Sequence, residues 1–112
     1  MHGLRQNGYV TERLKALEEI VAQHPDEPFA RYGLAMALAA AGRDEDALVE
    51  YATLIDKSPE YVPAYQMSSQ TLIRLGRTQE AKLRLEAGLA AAASTGSTHA
   101  ASEMQAMLDD LL

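Results

Sequence analysis

The chain of 112 residues contains no cysteine and no tryptophan. Without cysteine it has no disulfide bonds, no catalytic thiolate and no cysteine-ligated zinc, and this composition agrees with a reducing compartment. Aromatic residues make up only 5% of the chain, and Phe29 is its one phenylalanine. Alanine and leucine dominate instead, a balance that favours helices over strands.

Positive charge and long apolar runs are also scarce. The chain carries 10 Lys and Arg residues against 16 Asp and Glu, and its net charge is −6. Binding to nucleic acids or to acidic membrane surfaces needs clustered Lys and Arg residues, and the sequence has no such cluster. We therefore expect neither a nucleic-acid partner nor binding to a membrane. No apolar stretch approaches the roughly 20 residues that span a bilayer. The first ten residues, MHGLRQNGYV, lack the apolar run of a secretion signal. We therefore expect a cytoplasmic protein.

What the chain does contain is an internal repeat. Residues 42–47 read GRDEDA, and residues 76–81, which follow 34 positions later, read GRTQEA. The same step relates Pro25 to Pro59. A fixed period of this size is typical of stacked helix–turn–helix units, which build surfaces for holding other proteins.

Breakers and apolar spacing predict about six helices. Their expected ranges are 12–23, 28–41, 44–58, 62–76, 78–93 and 98–111. Thr11, Asp44 and Thr78 are the expected N-caps of the first, third and fifth helices. Because the connections are short, we expect neighbouring helices to pack antiparallel.

Small residues and methionines suggest how these helices pack. The residues expected at close helix crossings are Ala35, Ala47, Ala81 and Gly88. Met104 and Met107, on one face of the last helix, are expected to seal the open side of helix 78–93. Flexible methionines can also grip varied partners, which is the alternative for this pair.

These residues resemble the tetratricopeptide-repeat pattern, in a small bacterial-type arrangement. The positions that match the pattern are Leu34, Ala35, Leu38, Ala47, Tyr51, Pro59, Tyr65, Leu72, Gly76, Ala81 and Leu85. The positions that depart from it are Arg31, where an aromatic residue is usual, and Ser68, Ser69, Gly88 and Ala93. The resemblance divides a single domain, 1–112, into a half repeat 11–27, repeats 28–61 and 62–95, and a capping helix 96–112.

The resemblance implies an all-α fold, an α-solenoid of stacked antiparallel hairpins with a right-handed superhelical twist. It also implies a non-enzymatic adaptor, whose first helices line a concave groove that binds a protein or peptide partner. The best-known members of the family clamp the carboxylate tails of heat-shock chaperones with a Lys and an Asn. Here those two positions are Tyr32 and Met36, so that ligand is not expected.

Helix 28–41 is apolar on two opposed faces. At 100° per residue, Phe29, Tyr32 and Met36 fall within about 80° of one another, roughly 160° from Leu34 and Leu38. Only one face can pack against the hairpin partner. The groove residues predicted from the other face and from the next repeat are Phe29, Tyr32, Met36, Gln66, Gln70, Ile73 and Arg74.

Two alternatives remain open at this point. The stripe formed by Phe29, Tyr32 and Met36 is one of two things. It is either an exposed platform for a partner, or ordinary core covered by Leu4, Tyr9 and Val10 or by the first helix. An exposed stripe could also close a homodimer, which would make the chain an assembly protein rather than an adaptor.

The sequence offers little evidence for a metal site or for a catalytic nucleophile. His99 and Glu103 lie four residues apart on one helical face, a spacing that can place two metal ligands together, but no third ligand is evident. Ser68 and Ser69 have no histidine in the same hairpin, and they are interpreted as small packing residues. We therefore expect no catalytic residue, no metal and no cofactor.

Overall fold

The computed structural model describes the backbone of residues 2–112 and the side chains of residues 8–112. Within this part of the chain there are six helices and no strand. The helices are α1 (His2–Gln23), α2 (Pro28–Ala40), α3 (Asp44–Lys57), α4 (Val62–Arg74), α5 (Thr78–Thr95) and α6 (Thr98–Leu111). The prediction of an all-α chain with about six helices is confirmed.

Proline and glycine set several of the helix boundaries. Pro28 is the first residue of α2, where its fixed φ suits the helix and its missing N–H is not needed. Gly42, Gly76 and Gly96 follow α2, α4 and α5 with φ of +80°, +76° and +69°. Only glycine adopts this left-handed backbone readily, so these three positions end the helices.

The predicted N-caps are wrong. Thr11 lies inside α1, because that helix begins at His2 rather than near residue 12. Asp44 and Thr78 are the first helical residues, and the capping positions before them carry arginines that make no side-chain cap hydrogen bond. The carboxylates at the start of α3 instead lie in its first turn, where they face the positive end of the helix dipole.

Successive helices pack as antiparallel hairpins that stack into a solenoid. α2 packs on α3 and α4 on α5, with α1 against α2 and α6 against α5 at the two ends. Ala35, Ala47 and Ala81 are completely buried at the crossings, as predicted. A side chain at any of them larger than alanine would push the paired helices apart.

Gly88 marks the closest approach in the stack. An added Cβ there would lie 2.6 Å from the Met104 sulfur and 2.7 Å from Cβ of Tyr65. The residue is buried between α4 and α6, so the prediction of a close helix crossing is confirmed.

The carboxy-terminal helix completes the second half of the core. Met104 is fully buried against a cluster that includes Leu85 and Val62. Met107, with two leucines of α6, packs against the same cluster. The prediction that the methionines seal the open side of α5 is confirmed.

Different polar contacts join the two helices of each hairpin. In the first, Arg31 of α2 pairs with Glu50 of α3 at 2.8 Å, with little solvent exposure of either side chain. One repeat later the equivalent residues are Tyr65 and Arg84. Arg84 donates instead to the hydroxyl of the buried Ser68 at 2.9 Å, and burial lowers the pKa of its guanidinium. The unusual residue of the first repeat, Arg31, is thus explained by its partner.

The serines of α4 are buried packing residues. Ser68 and Ser69 are fully enclosed, and their hydroxyls donate to the carbonyls of Ala64 and Tyr65 one turn earlier. Their interpretation as small residues at a helix crossing is confirmed.

None of the helices described between residues 2 and 112 is both long and apolar enough to cross a membrane.

Candidate functional site

A groove of about 240 Å³ lies where the first helices of the two hairpins, α2 and α4, come together. The residues that line it are Met36, Ala39, Ala40, Tyr51, Met67, Gln70, Thr71 and Arg74. The alanines and methionines of α2 and α4 give it apolar walls, while Gln70, Thr71 and Arg74 of α4 add polar groups. The groove therefore offers an apolar contact surface with a few polar groups beside it.

Three of the predicted site residues meet in this groove. Met36, Gln70 and Arg74 line it together, although they come from different repeats. Each retains solvent access, and the Met36 side chain is 39% exposed. Their use in binding a partner stays a prediction.

The other predicted residues lie outside the lining. Phe29 is 73% exposed at the start of α2. Tyr32 is half-buried, because its ring packs edge-on against Tyr61, with the ring centres 5.4 Å apart, and lies tilted against Tyr51 at 6.4 Å. Two further predicted residues, Gln66 and Ile73, are half-buried and do not line the groove.

Among the described side chains, neither Tyr9 nor Val10 covers Phe29. Tyr9 is 70% exposed, and Val10 packs on the core beside Leu14. Tyr9 and Val10 share a small cavity with the carboxy-terminal part of α2, far along the helix from Phe29. Leu4, the third residue considered as a cover, lies outside the described side chains. Within the described part, other tyrosines of the chain cover Tyr32, and the rest of the stripe is open.

Tyr51 of α3 is the groove residue that sequence reasoning missed. It has 0% solvent exposure and packs in the core, yet it also lines the groove. Burial, reinforced by the neighbouring Tyr32, raises the pKa of its phenol to about 12, and the positive charge of Arg74 acts in the opposite direction. The Tyr51 hydroxyl is therefore neutral at physiological pH. Its position in the repeat is typical of an aromatic core residue, so no signal in the sequence distinguishes it.

Arg74 closes the polar end of the groove. Its guanidinium donates to both carboxylate oxygens of Asp44, through Nη2 at 2.6 Å and Nε at 3.4 Å. This hydrogen-bonded pairing raises the pKa of Arg74. The pair occupies one edge of the guanidinium and leaves Nη1 without a partner among the described residues. The Arg74 side chain is 54% exposed.

The histidines do not gather into a site in the described part of the chain. His99 lies 3.3 Å from Glu103, but both side chains are at the surface, with 90% and 50% exposure. Among the described residues, no three His, Asp or Glu side chains converge as metal ligands would.

Comparisons with known proteins agree with this architecture. Residues 14–67 match the family model described as tetratricopeptide repeat. The TPR repeat-containing thioredoxin TTL4 of Arabidopsis thaliana is 31% identical over 80 residues, which is 71% of this chain. The chain spans only 12% of the length of that curated relative.

Solved structures share the fold over most of the chain. A tetratricopeptide repeat domain protein from Salinibacter ruber has a TM-score of 0.74 and 29% identity, over 78% of this chain and 88% of its own. The TPR2B domain of yeast Sti1, in complex with pHsp70, has a TM-score of 0.83 over 98% of this chain and 88% of that one. Its identity is 20%, so it shows similarity of fold alone.

Proposed function

Because this chain belongs to the tetratricopeptide-repeat family, whose fold is a protein-interaction module, we propose that it binds a peptide or a partner helix in the groove between α2 and α4. In this proposal the chain is an adaptor and not an enzyme, and it needs no metal or cofactor. Its partner is a protein, and it contacts neither nucleic acid nor membrane.

The observation that carries the proposal is the second apolar face of α2. Leu34 and Leu38 are buried against the hairpin partner, whereas Met36 opens onto the groove and Phe29 projects into solvent. The helix thus already packs one apolar face in the core and still exposes apolar side chains on the other. Exposed apolar side chains flanked by polar groups are typical of interface centres.

The size of the groove favours a peptide over a small-molecule substrate. Its volume of about 240 Å³ lies below the roughly 300–1,000 Å³ of typical small-molecule sites. A space of this size accommodates one or two anchoring side chains, while the remainder of a peptide lies along the helices. The Sti1 domain in complex with pHsp70 shows that a protein of this fold engages another protein. Tyr32 and Met36 replace the clamp residues here, so we do not propose the same ligand.

The test is the selection of peptides against the purified chain. A phage library of random dodecapeptides is panned on the full chain, and enriched peptides are measured by fluorescence anisotropy. Met36→Glu places a charge in the groove at an exposed position, so it should weaken binding at least tenfold without unfolding the protein. The matched control is Leu83→Glu on α5, because Leu83 is 68% exposed and lies away from the groove.

Two results would contradict the proposal. Either no peptide is enriched, or the enriched peptides bind the Met36→Glu and Leu83→Glu variants equally well. Tyr32 is unsuitable for this test, because its ring is part of the tyrosine cluster and its replacement would disturb packing.

A homodimer is the second candidate, and the exposure of Phe29 favours it. A bulky aromatic side chain that is 73% exposed could insert into a second copy. Light scattering over a range of concentrations measures the mass. If Phe29 forms the interface, a dimeric mass should fall to that of one chain in Phe29→Glu. A wild-type mass of one chain at every concentration excludes the dimer.

We also propose the domain division and the location expected from the sequence. The division gives a half repeat 11–27, repeats 28–61 and 62–95, and a capping helix 96–112. Limited proteolysis that cleaves first at residues 24–27, 58–61 or 96–97 would support it. A cytoplasmic location agrees with the lack of cysteine, and cell fractionation tests it.

A further inference from the structure

A second groove lies between α3 and α5, the second helices of the two hairpins, and has a volume of about 270 Å³. Its apolar walls are formed by Leu48, Val49 and Ala52 of α3 and by Leu72 of α4. Val49 is 61% exposed, so part of this apolar surface is open to a partner. No described residue lines both this α3–α5 groove and the groove between α2 and α4, so the two are separate surfaces.

The charged side chains of the α3–α5 groove are unequally paired. Two carboxylates and two guanidiniums line it, those of Glu45, Glu80, Arg77 and Arg84. Arg77 binds both carboxylates, Glu45 through Nη1 and Glu80 through Nε and Nη2. Among the described residues Arg84 has no ion pair, and its one hydrogen bond runs from Nη1 to the hydroxyl of Ser68 at 2.9 Å. The groove thus contains one positive charge with no carboxylate bound to it.

Arg84 is half-buried but still accessible from the groove. Every fully enclosed side-chain nitrogen or oxygen in the described part of the chain has a hydrogen-bond partner, so the unpartnered Nε and Nη2 of Arg84 have solvent access. In the first repeat, by contrast, the half-buried Arg31 pairs with Glu50 at 2.8 Å. Partial burial of the Arg84 charge without a bound carboxylate costs free energy, and it also lowers the pKa of the guanidinium. An anion at Nε and Nη2 would offset that cost.

A carboxylate fits this edge of Arg84 best. Nε and Nη2 present two parallel N–H groups, and a carboxylate accepts both at once. A phosphorylated residue carries more negative charge and would face Glu45 and Glu80 in the same groove. A free carboxylic acid would leave the apolar walls uncovered, whereas an acidic residue within a peptide brings apolar neighbours with it. The complementary ligand is therefore a protein segment with an aspartate or glutamate beside an apolar residue.

We propose that the α3–α5 groove binds a second protein segment, in which an aspartate or glutamate pairs with Nε and Nη2 of Arg84. A neighbouring apolar side chain of that segment lies against Val49 and Ala52. This inference does not depend on the groove between α2 and α4. It goes beyond the proposed function because it gives the adaptor a second docking surface, so that one chain holds two partners at once.

The experiment pans a phage library of random dodecapeptides on the full chain carrying Met36→Glu, which blocks the other groove. Enriched peptides are measured by fluorescence anisotropy, with each further substitution added to this chain. Arg84→Met keeps a side chain of similar reach without the charge and should weaken binding about tenfold, the effect of losing a hydrogen bond to a charged group. Val49→Glu, at an exposed position, should weaken it by repelling the peptide's carboxylate. The control is Leu83→Glu, because Leu83 is 68% exposed and does not line the groove.

A double-mutant cycle ties Arg84 to the carboxylate. Replacing the peptide's acidic residue by its amide should weaken binding but cause little further loss in Arg84→Met. The inference is overturned if no peptide is enriched on the Met36→Glu chain, if the two losses simply add, or if Val49→Glu binds as tightly as Leu83→Glu. Circular dichroism checks that Arg84→Met is folded, and if it is not, Val49→Glu decides the question.

The two surfaces are told apart by where their peptides are lost. Peptides that are selected on the wild type and lost in Met36→Glu belong to the groove between α2 and α4. Peptides selected on Met36→Glu and lost in Val49→Glu belong to the α3–α5 groove. Failure of one set leaves the other standing, so the proposed function and this inference are tested separately.

Discussion

Substitution of Gly88 by alanine tests whether the close crossing of α4, α5 and α6 holds the carboxy-terminal half together. The new methyl group would lie 2.6 Å from the Met104 sulfur and 2.7 Å from Cβ of Tyr65. The sulfur belongs to a flexible side chain and can move. The Tyr65 Cβ is bonded directly to the backbone of α4, so it can yield only if the helix shifts.

The magnitude follows from two opposing effects. Alanine is favoured over glycine inside a helix by about 1 kcal/mol. Overpacking a filled core costs typically about 1–3 kcal/mol, and contact with a helix backbone places Gly88→Ala in the upper part of that range. We expect a net loss of about 1–2 kcal/mol, which corresponds to a fall of roughly 4–8 °C in melting temperature.

Gly33→Ala is the matched control. Gly33 also lies inside a helix, α2, but an added Cβ there meets no atom within 4 Å. This variant should therefore gain up to about 1 kcal/mol from helix propensity. Thermal and urea unfolding of both variants should show changes of opposite sign. If Gly88→Ala unfolds at or above the wild-type midpoint, the crossing is not tightly packed and the reasoning is wrong.

Three further predictions concern stability. Removal of residues 97–112 should abolish cooperative unfolding in circular dichroism, because it uncovers the apolar face of α5; a monomer with the wild-type melting temperature would show that α6 contributes nothing. Glu50→Gln should lower the free energy of unfolding, measured in urea, by about 1–2 kcal/mol, because it leaves the charge of the buried Arg31 without its carboxylate partner. The control is Asp26→Asn, which should have almost no effect because the Asp26 side chain is 92% exposed. The pKa of Tyr51 is raised from 10.0 to about 12, so the unfolded chain loses this proton first and stability should fall as the pH rises from 10 towards 12. Tyr51→Phe should lose less stability over that interval, and identical losses in both proteins would contradict the assignment.

Helix positions were accessible from the sequence because breakers and apolar spacing are local signals. Pro28 and the glycines after α2, α4 and α5 act on the backbone beside them, whatever the rest of the fold does. The start of α1 was missed because Thr11 offered a plausible cap, although the helix runs through Asn7 and Gly8 to His2. The caps at Asp44 and Thr78 were placed one residue late, since arginines occupy the capping positions without bonding the helix end.

The candidate site was only partly predictable, because a groove depends on how helices stack. Met36 and Arg74 could be assigned to the groove from the faces of their own helices. The burial of Tyr32 could not, since it depends on Tyr61, which lies beyond the next helix. Tyr51 escaped because one side chain serves both the core and the groove floor, and a periodic pattern assigns a residue to one face only.

The different polar contacts within the two hairpins, Arg31 with Glu50 and Arg84 with Ser68, affect how the chain avoids misfolding. Near-identical repeats risk pairing a helix with the wrong partner, within one chain or between two. If α2 paired with α5, Arg31 would face Arg84 and two positive charges would meet in a half-buried crossing. If α4 paired with α3, Tyr65 would face Glu50, and the carboxylate would lose its partner. The alternating chemistry at one equivalent position thus disfavours helix exchange, so a chain built from two copies of either repeat should misassemble more readily than this one.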